Sequence, residues 1–191
     1  MRRVMIFGGS GSGKSTLARA LSRATDLPVV HLDHIYWQAG WVQRPPEEVQ
    51  RLADAAAQGP GWIIDGNHSR SMAARAERAD LLIWLDPPRW LRLARVLWRV
   101  ASHRGRNRPD MAPGCPERFD WPFLRDWVIP YDRRAPDSPR ARALTFIGRW
   151  QGQKPVIVLR RQREAQAFLA TVKSQGLAEA TRRFARLPDP G

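Results

Sequence analysis

Eight residues near the start constrain this chain more than any others. Gly8-Gly9-Ser10-Gly11-Ser12-Gly13-Lys14-Ser15 matches G-x-x-x-x-G-K-[ST] in full, and Thr16 follows. Glycines at this spacing let successive backbone N–H groups converge on one anion, and a helix starting near Lys14 adds its positive end. Lys14 is placed to reach β- and γ-phosphates, while the Ser15 hydroxyl suits Mg²⁺. The motif follows an apolar run, Arg3–Phe7, and precedes an amphipathic stretch, Lys14–Thr25. That is the strand–loop–helix context the chemistry requires, so Gly8 to Thr16 are expected to hold a nucleoside triphosphate with Mg²⁺.

The remainder alternates in the same way. Strands are predicted at Arg3–Phe7, Pro28–Leu32, Trp62–Ile64, Leu81–Leu85 and Pro155–Leu159. Each is nearly continuous in apolar residues, as parallel strands covered on both faces must be. Helices are predicted at Lys14–Thr25, Pro46–Gln58, His68–Arg78, Pro88–His103, Asp120–Arg134 and Pro136–Gln151. Such alternation implies an α/β domain with a five-stranded parallel sheet and right-handed crossovers. Residues 1–175 read as one domain. A polar, Gly/Pro-rich and basic insertion spans about 104–119, and Gly176–Gly191 reads as a frayed tail.

Charge is placed unevenly along the 191 residues. Residues 1–88 carry 10 basic and 9 acidic groups, net +1, whereas residues 89–191 carry 22 and 9, net +13. A local anion site explains this better than uniform affinity for nucleic acid. Only Lys14, Lys154 and Lys173 are lysine. That preference for Arg fits bidentate phosphate recognition or, equally, a coding bias. The longest wholly apolar run, Leu81–Leu85, is far shorter than the roughly 20 residues of a membrane span, so no membrane partner is expected. The N-terminus lacks a signal-peptide core, which reads as cytoplasmic. A single cysteine, Cys115, excludes a disulfide framework, and no Asn-Lys pair is present to support a guanine signature.

Further candidates lie beyond the loop. Asp65 ends an apolar strand and suits a carboxylate that holds Mg²⁺ through water, although Asp65-Gly66 reads equally as a turn. Arg92, Arg95 and Arg99 share one face of Pro88–His103, opposite an apolar face of Trp90, Leu91, Ala94, Leu97, Trp98 and Ala101. They lead into Arg104, Arg106, Arg108 and Arg118, an arginine-bearing lid of the kind that expels water and offsets charge on a transferring phosphoryl group. His34, His68 and His103 lack metal-ligand spacing, and Cys115 reads as a loop residue.

On the P-loop, Leu32–Trp37, Trp62–Asn67, Leu85–Pro88 and Arg106–Arg118, residues 1–170 resemble the adenylate-kinase-like small P-loop kinases, including nucleoside-monophosphate and shikimate kinases. The likeness is closer still to the bacterial DNA topology modulation (FlaR-related) proteins. It implies a three-layer P-loop NTPase fold with an Arg-rich lid, and transfer of the γ-phosphate of ATP to a small acceptor, a nucleotide or hydroxylated metabolite. It implies Mg²⁺ contact for Asp65 and nucleotide contact for Arg95 and Arg99. Arg133 and Arg134 fall where such kinases return from the lid. Asp33 matches an acceptor-contacting aspartate and reads as a general base or as a cap. Arg70, Arg106 and Arg108 are the expected acceptor-binding arginines, while Tyr36, Trp37 and Trp41 read as pocket lining or as core. Arg160 and Arg161 would lie on the adenine side. The alternative implied by the second likeness is an ATP-binding regulator that contacts DNA through the basic C-terminal half.

Overall fold

Alternate residues of the first strand serve opposite faces of a sheet. In the computed structural model, which describes residues 1–132 and 135–185, β1 (Arg3–Gly8) sends Val4 and Ile6 into one apolar layer and Met5 and Phe7 into the other. The chain then runs through α1 (Lys14–Thr25), β2 (Val29–His31), α2 (Leu32–Tyr36), a hairpin of β3 (Trp37–Gln38) and β4 (Val42–Gln43), and α3 (Pro46–Ala56). It continues with β5 (Trp62–Asp65), α4 (Ser69–Arg78), β6 (Leu81–Leu85) and α5 (Arg89–His103). A broken segment starting at α6 (Trp121–Phe123) leads to α7 (Pro139–Trp150), β7 (Val156–Leu159) and α8 (Gln162–Phe184).

Five parallel strands form one sheet in the order β2-β5-β1-β6-β7, so the P-loop strand is central. Leu17, Ala18 and Leu21 of α1 join Phe168, Val172, Leu177 and Ala180 of α8 on one face. Ala53, Ala76, Ala143 and Ile147, from α3, α4 and α7, cover the other around Trp62 and Trp84. The result is the expected three-layer P-loop α/β fold. Its strands β5 and β6 flank β1 on opposite sides, opening a crevice at their carboxyl ends where ligands of such sheets bind.

Four expectations change. The Trp37–Gln43 hairpin falls outside the predicted strands. Asp120–Arg134 is not one helix: Pro122 is accommodated in the first turn of α6, but a π-helical turn follows at Leu124–Val128 and a 3-10 turn containing Pro130 at Ile129–Asp132. Arg133, Arg134 and residues 186–191 lie outside the described residues. The tail expected to fray from Gly176 instead stays helical through Phe184. Gly176, at φ +84°, kinks α8, and the part beyond it buries Leu177 and Ala180 and sets Phe184 edge-on to Phe168.

The fourth change concerns α5, whose faces are reversed from the usual arrangement. Arg92 and Val96 are buried, while Trp90, Ala94, Leu97, Trp98 and Ala101 are exposed. Carbonyls of the P-loop and two carboxylates draw the arginine face inward, as the site geometry makes plain.

Candidate active site

The P-loop is built by close approach. At Gly8, φ +146°, a Cβ would stand 2.3 Å from the Leu85 carbonyl; at Gly11, φ +76°, it would stand 2.4 Å from the Arg92 carbonyl. Side chains therefore cannot occupy either position without moving β6 or α5. Asn67 clamps the start of the loop from the β5–α4 turn, its Oδ1 accepting from Gly8 N at 3.0 Å and its Nδ2 donating to Gly8 O at 2.6 Å. Lys14 Nζ donates to the carbonyls of Gly8 and Gly9, at 2.9 and 3.1 Å. Burial lowers the Lys14 pKa, and the charges of Asp33 and Asp65 oppose that shift.

Asp65 stands beneath the loop, where β5 ends. Its Oδ2 accepts from Ser15 Oγ at 2.8 Å, and its Oδ1 pairs with His31 Nδ1 at 2.5 Å. The register explains the meeting, because His31 of β2 lies directly opposite Asp65. Asp33 of α2 lies close enough to Lys14 for each charge to act on the other. Its side chain is open to the crevice mouth, yet the protein mass around it raises its pKa, against the pull of the Lys14 charge.

The arginines of α5 reach the same loop from the opposite side. Arg92 sits over the Tyr131 ring at 4.3 Å, pairs with Asp132 and approaches the Ser10 carbonyl at 3.5 Å. Arg95 donates to Ser12 O at 3.2 Å and to Gln162 Oε1 at 3.0 Å, tying α5 to the start of α8. Arg99 Nε donates to Glu117 at 3.1 Å. Glu117 also pairs with Arg108 at 2.7 Å, Arg108 with Asp110 at 2.9 Å, and Asp110 with Arg19 of α1 at 3.4 Å. Signs thus alternate from α5 through the lid to α1. Burial pushes the Asp110 carboxyl upward, but Arg108, the Ser15 hydroxyl against which it lies, and Arg19 hold it below its usual range.

The lid also touches the β3–β4 hairpin. Met111, Ala112 and Cys115 pack on Trp37 and Trp41, Gly40 N donates to Gly114 O at 2.7 Å, and Trp41 Nε1 donates to Pro116 O at 3.1 Å. Cys115 is buried and donates to Gln38 O, so this loop residue seals the lid against the hairpin.

Comparison with known proteins adds one decisive relation. The chain is 30% identical over 147 residues to the uncharacterized protein YqaC of Bacillus subtilis (strain 168), covering 75% of this chain and 79% of that protein. The chain belongs to the YqaC family. No protein-family model matches. Among solved structures, shikimate kinase from Acinetobacter baumannii in complex with shikimate aligns at TM-score 0.49 and 15% identity, covering 94% of each chain. A gluconokinase from Sinorhizobium meliloti 1021 aligns at 0.46 and 14%, covering 96% of this chain and 93% of that one.

In this YqaC-family chain the structure gathers Gly8, Gly9, Ser10, Gly11, Ser12, Gly13, Lys14, Ser15, Asp33, Asp65, Arg95, Arg99 and Arg108 around one crevice. Thr16 is exposed on the first turn of α1. Arg106 is exposed, its backbone bonding to His103 and Glu117. Arg70 is 63% exposed, 4.0 Å from Glu47. Arg160 and Arg161 cap α8 through their backbone N–H groups and Glu164. Lys154 donates to the carbonyls of Ala76, Glu77 and Ala79 at the end of α4. Sequence reasoning missed His31, Asn67, Asp110 and Glu117 as site residues, because each meets a partner on a distant element: Asp65, Gly8, Arg19 and Arg99 respectively.

The residues fit a magnesium triphosphate. Ser12 Oγ is buried within the loop with no hydrogen-bond partner among the described residues. Ser15 and Asp65 offer the hard oxygens that Mg²⁺ prefers.

Proposed function

We propose that the protein is an ATP-dependent, Mg²⁺-requiring phosphotransferase acting on a small acceptor, a nucleotide or a hydroxylated metabolite. The observation that carries this is the convergence of Lys14, the Ser15–Asp65 pair and Asp33 at the mouth of one P-loop. A bare nucleotide-binding site has no use for a carboxylate facing the P-loop lysine from a separate helix. The likeness of the sequence motifs to small P-loop kinases supports the same reading.

Mg²⁺, when bound, would supply positive charge that offsets the charge of the phosphates. Ser15 and Asp65 would hold it, with His31 fixing the Asp65 carboxylate. Lys14 would exchange its two loop carbonyls for phosphate oxygens. Asp33 takes the proton of an acceptor hydroxyl, and its raised pKa brings it nearer the working pH of a general base. Arg95 and Arg99 offset charge on the phosphoryl group. Arg108, held by Glu117 and Asp110, would line the acceptor side. The lid, latched to the hairpin by Trp41, excludes water.

A coupled ADP-release assay across nucleotides, nucleosides and hydroxylated metabolites tests the reading, with calorimetry of Mg²⁺–ATP binding alongside. Acceptor-stimulated turnover is expected, and Lys14→Ala should abolish it while keeping the fold. Binding of Mg²⁺–ATP with turnover that ignores every acceptor would reduce the protein to an ATPase.

A further inference from the structure

The outward face of α5 is the largest feature that phosphoryl transfer leaves unexplained. Trp90 is 69% exposed, Leu97 51% and Trp98 67%, and the exposed Ala94 and Ala101 complete a stripe at i, i+4, i+7, i+8 and i+11. These positions lie on one side of a helix, spanning about 16 Å of its axis at 1.5 Å per residue. The three large side chains alone leave on the order of 400 Å² of apolar surface in water. Beside them, the segment that packs Leu124 and Val128 on Val96 exposes Trp121 and Trp127.

Charge identifies the occupant. No acidic residue occurs from Pro87 to Pro109, whereas Arg89 stands exposed at one end of the stripe and Arg104 and Arg106 at the other. Arg89 lies in the first turn of α5, which holds no acidic residue, although a cation there opposes the helix dipole. The neighbouring acids are taken: Asp126 by Arg125, Asp132 by Arg92 and Asp86 by Arg140. A second copy of this face would meet like charge, and the stripe is about half of the ~800 Å² per partner of a stable interface. Bases do not stack on it either, because Trp90 and Trp98 stand about 12 Å apart with leucine and alanine between them. Bulky indoles projecting from a convex helix, rimmed by guanidinium groups, suit a fluid and negatively charged apolar phase.

We propose that this face docks the protein on the surface of a bilayer containing anionic lipid, with α5 lying in the plane of the interface. No helix among the described residues is long and apolar enough to cross a membrane, so the contact is peripheral. This revises the expectation of no membrane partner, which rested on the absence of a spanning segment. It is independent of the proposed phosphotransferase activity.

The full chain is to be sedimented with phosphatidylcholine vesicles made with and without phosphatidylglycerol, while tryptophan emission is followed. Binding and a blue shift are expected only with phosphatidylglycerol, both weakening as salt rises. Trp90→Ala combined with Trp98→Ala changes no charge and removes only exposed side chains, and it should weaken vesicle binding about tenfold or more. Arg104→Gln combined with Arg106→Gln should weaken it with the blue shift lost in parallel. Absence of vesicle binding overturns the proposal. So does binding untouched by the tryptophan variant, which would be mere adsorption of a cationic protein. Loss in that variant of a dimer seen by ultracentrifugation, or of affinity for a single-stranded oligonucleotide, would assign the face to a second copy or to nucleic acid and overturn it equally.

Discussion

Glu117 offers the sharpest test of how the lid is held. Its carboxylate is 5% exposed and sits between two guanidinium groups, those of Arg99 on α5 and Arg108 on the lid. Burial, with Arg108 close by, already lowers the Arg99 pKa, and Glu117 is what opposes that shift. Glu117→Gln keeps the shape and removes the charge, leaving two partly buried cations facing an amide whose NH₂ cannot accept from them. Breaking a buried pair by removing one partner costs about 3–5 kcal/mol. Here the lid can relieve part of that by opening into water, so about 3 kcal/mol is expected to be lost locally.

Opening of the lid is read directly by hydrogen exchange. The Gly40 N–H of the hairpin donates to Gly114 O of the lid at 2.7 Å and the Arg106 N–H of the lid to His103 O of α5 at 2.8 Å, so both amides exchange when the lid leaves its neighbours. A loss of about 3 kcal/mol corresponds to exchange faster by about two orders of magnitude, at 1.4 kcal/mol per factor of ten. Amides of β1 should keep their protection, because that strand lies in the core and not in the lid. Exchange at Gly40 and Arg106 within about threefold of the parent would mean that the ion pairs contribute no more than exposed ones do, 0–1 kcal/mol, and the latch would be refuted.

Three further outcomes follow from the same geometry. Gly11→Ala forces a Cβ to within 2.4 Å of the Arg92 carbonyl at positive φ, so calorimetry should show Mg²⁺–ATP binding weakened by at least about tenfold, with a lowered Tm. Burial raises the Asp80 pKa, but the N–H groups of Arg2 and Arg3 and the Arg3 guanidinium outweigh it and hold the carboxyl below its usual value. Its contribution is therefore present above about pH 4 and lost as pH falls through the folded-state pKa; urea unfolding should show Asp80→Asn less stable at neutral pH and the gap closing in acid. Lys154→Met removes three hydrogen bonds to carbonyls at the end of α4 and should lower stability by roughly 1–3 kcal/mol in the same assay.

The sheet was legible because its strands are apolar on both faces: Val4 and Ile6 serve one layer, Met5 and Phe7 the other, so each strand reads as an unbroken run. The P-loop and Asp65 were legible because motif and strand end are local. What escaped was nonlocal. Two-residue strands such as Trp37–Gln38 leave no periodic signal, and the stretch from Trp121 to Asp132 changes from α to π to 3-10 turns without a break in its apolar pattern. Helix periodicity across Gly176 is weak because Thr181, a polar residue, is buried there and bonds back to Leu177. Asp110 and Glu117 look like ordinary loop acids until the fold brings Arg19, Arg99 and Arg108 to them.

The orientation of α5 is the case in which amphipathicity reveals two faces without telling which is inward. Rolling the helix to hide the stripe would remove on the order of 400 Å² of apolar surface from water, about 10 kcal/mol at 25 cal/mol per Å². The same roll would withdraw Arg92 from Ser10 and Asp132, Arg95 from Ser12, and Arg99 from Glu117. Those contacts, several of them to neutral carbonyls and one with a buried Nε left without a partner, do not replace a stabilisation of that size. Stability alone therefore does not select the orientation. Guanidinium groups aimed at an anion loop do, and the tryptophans consequently face outward, where they need an apolar phase of opposite charge to cover them.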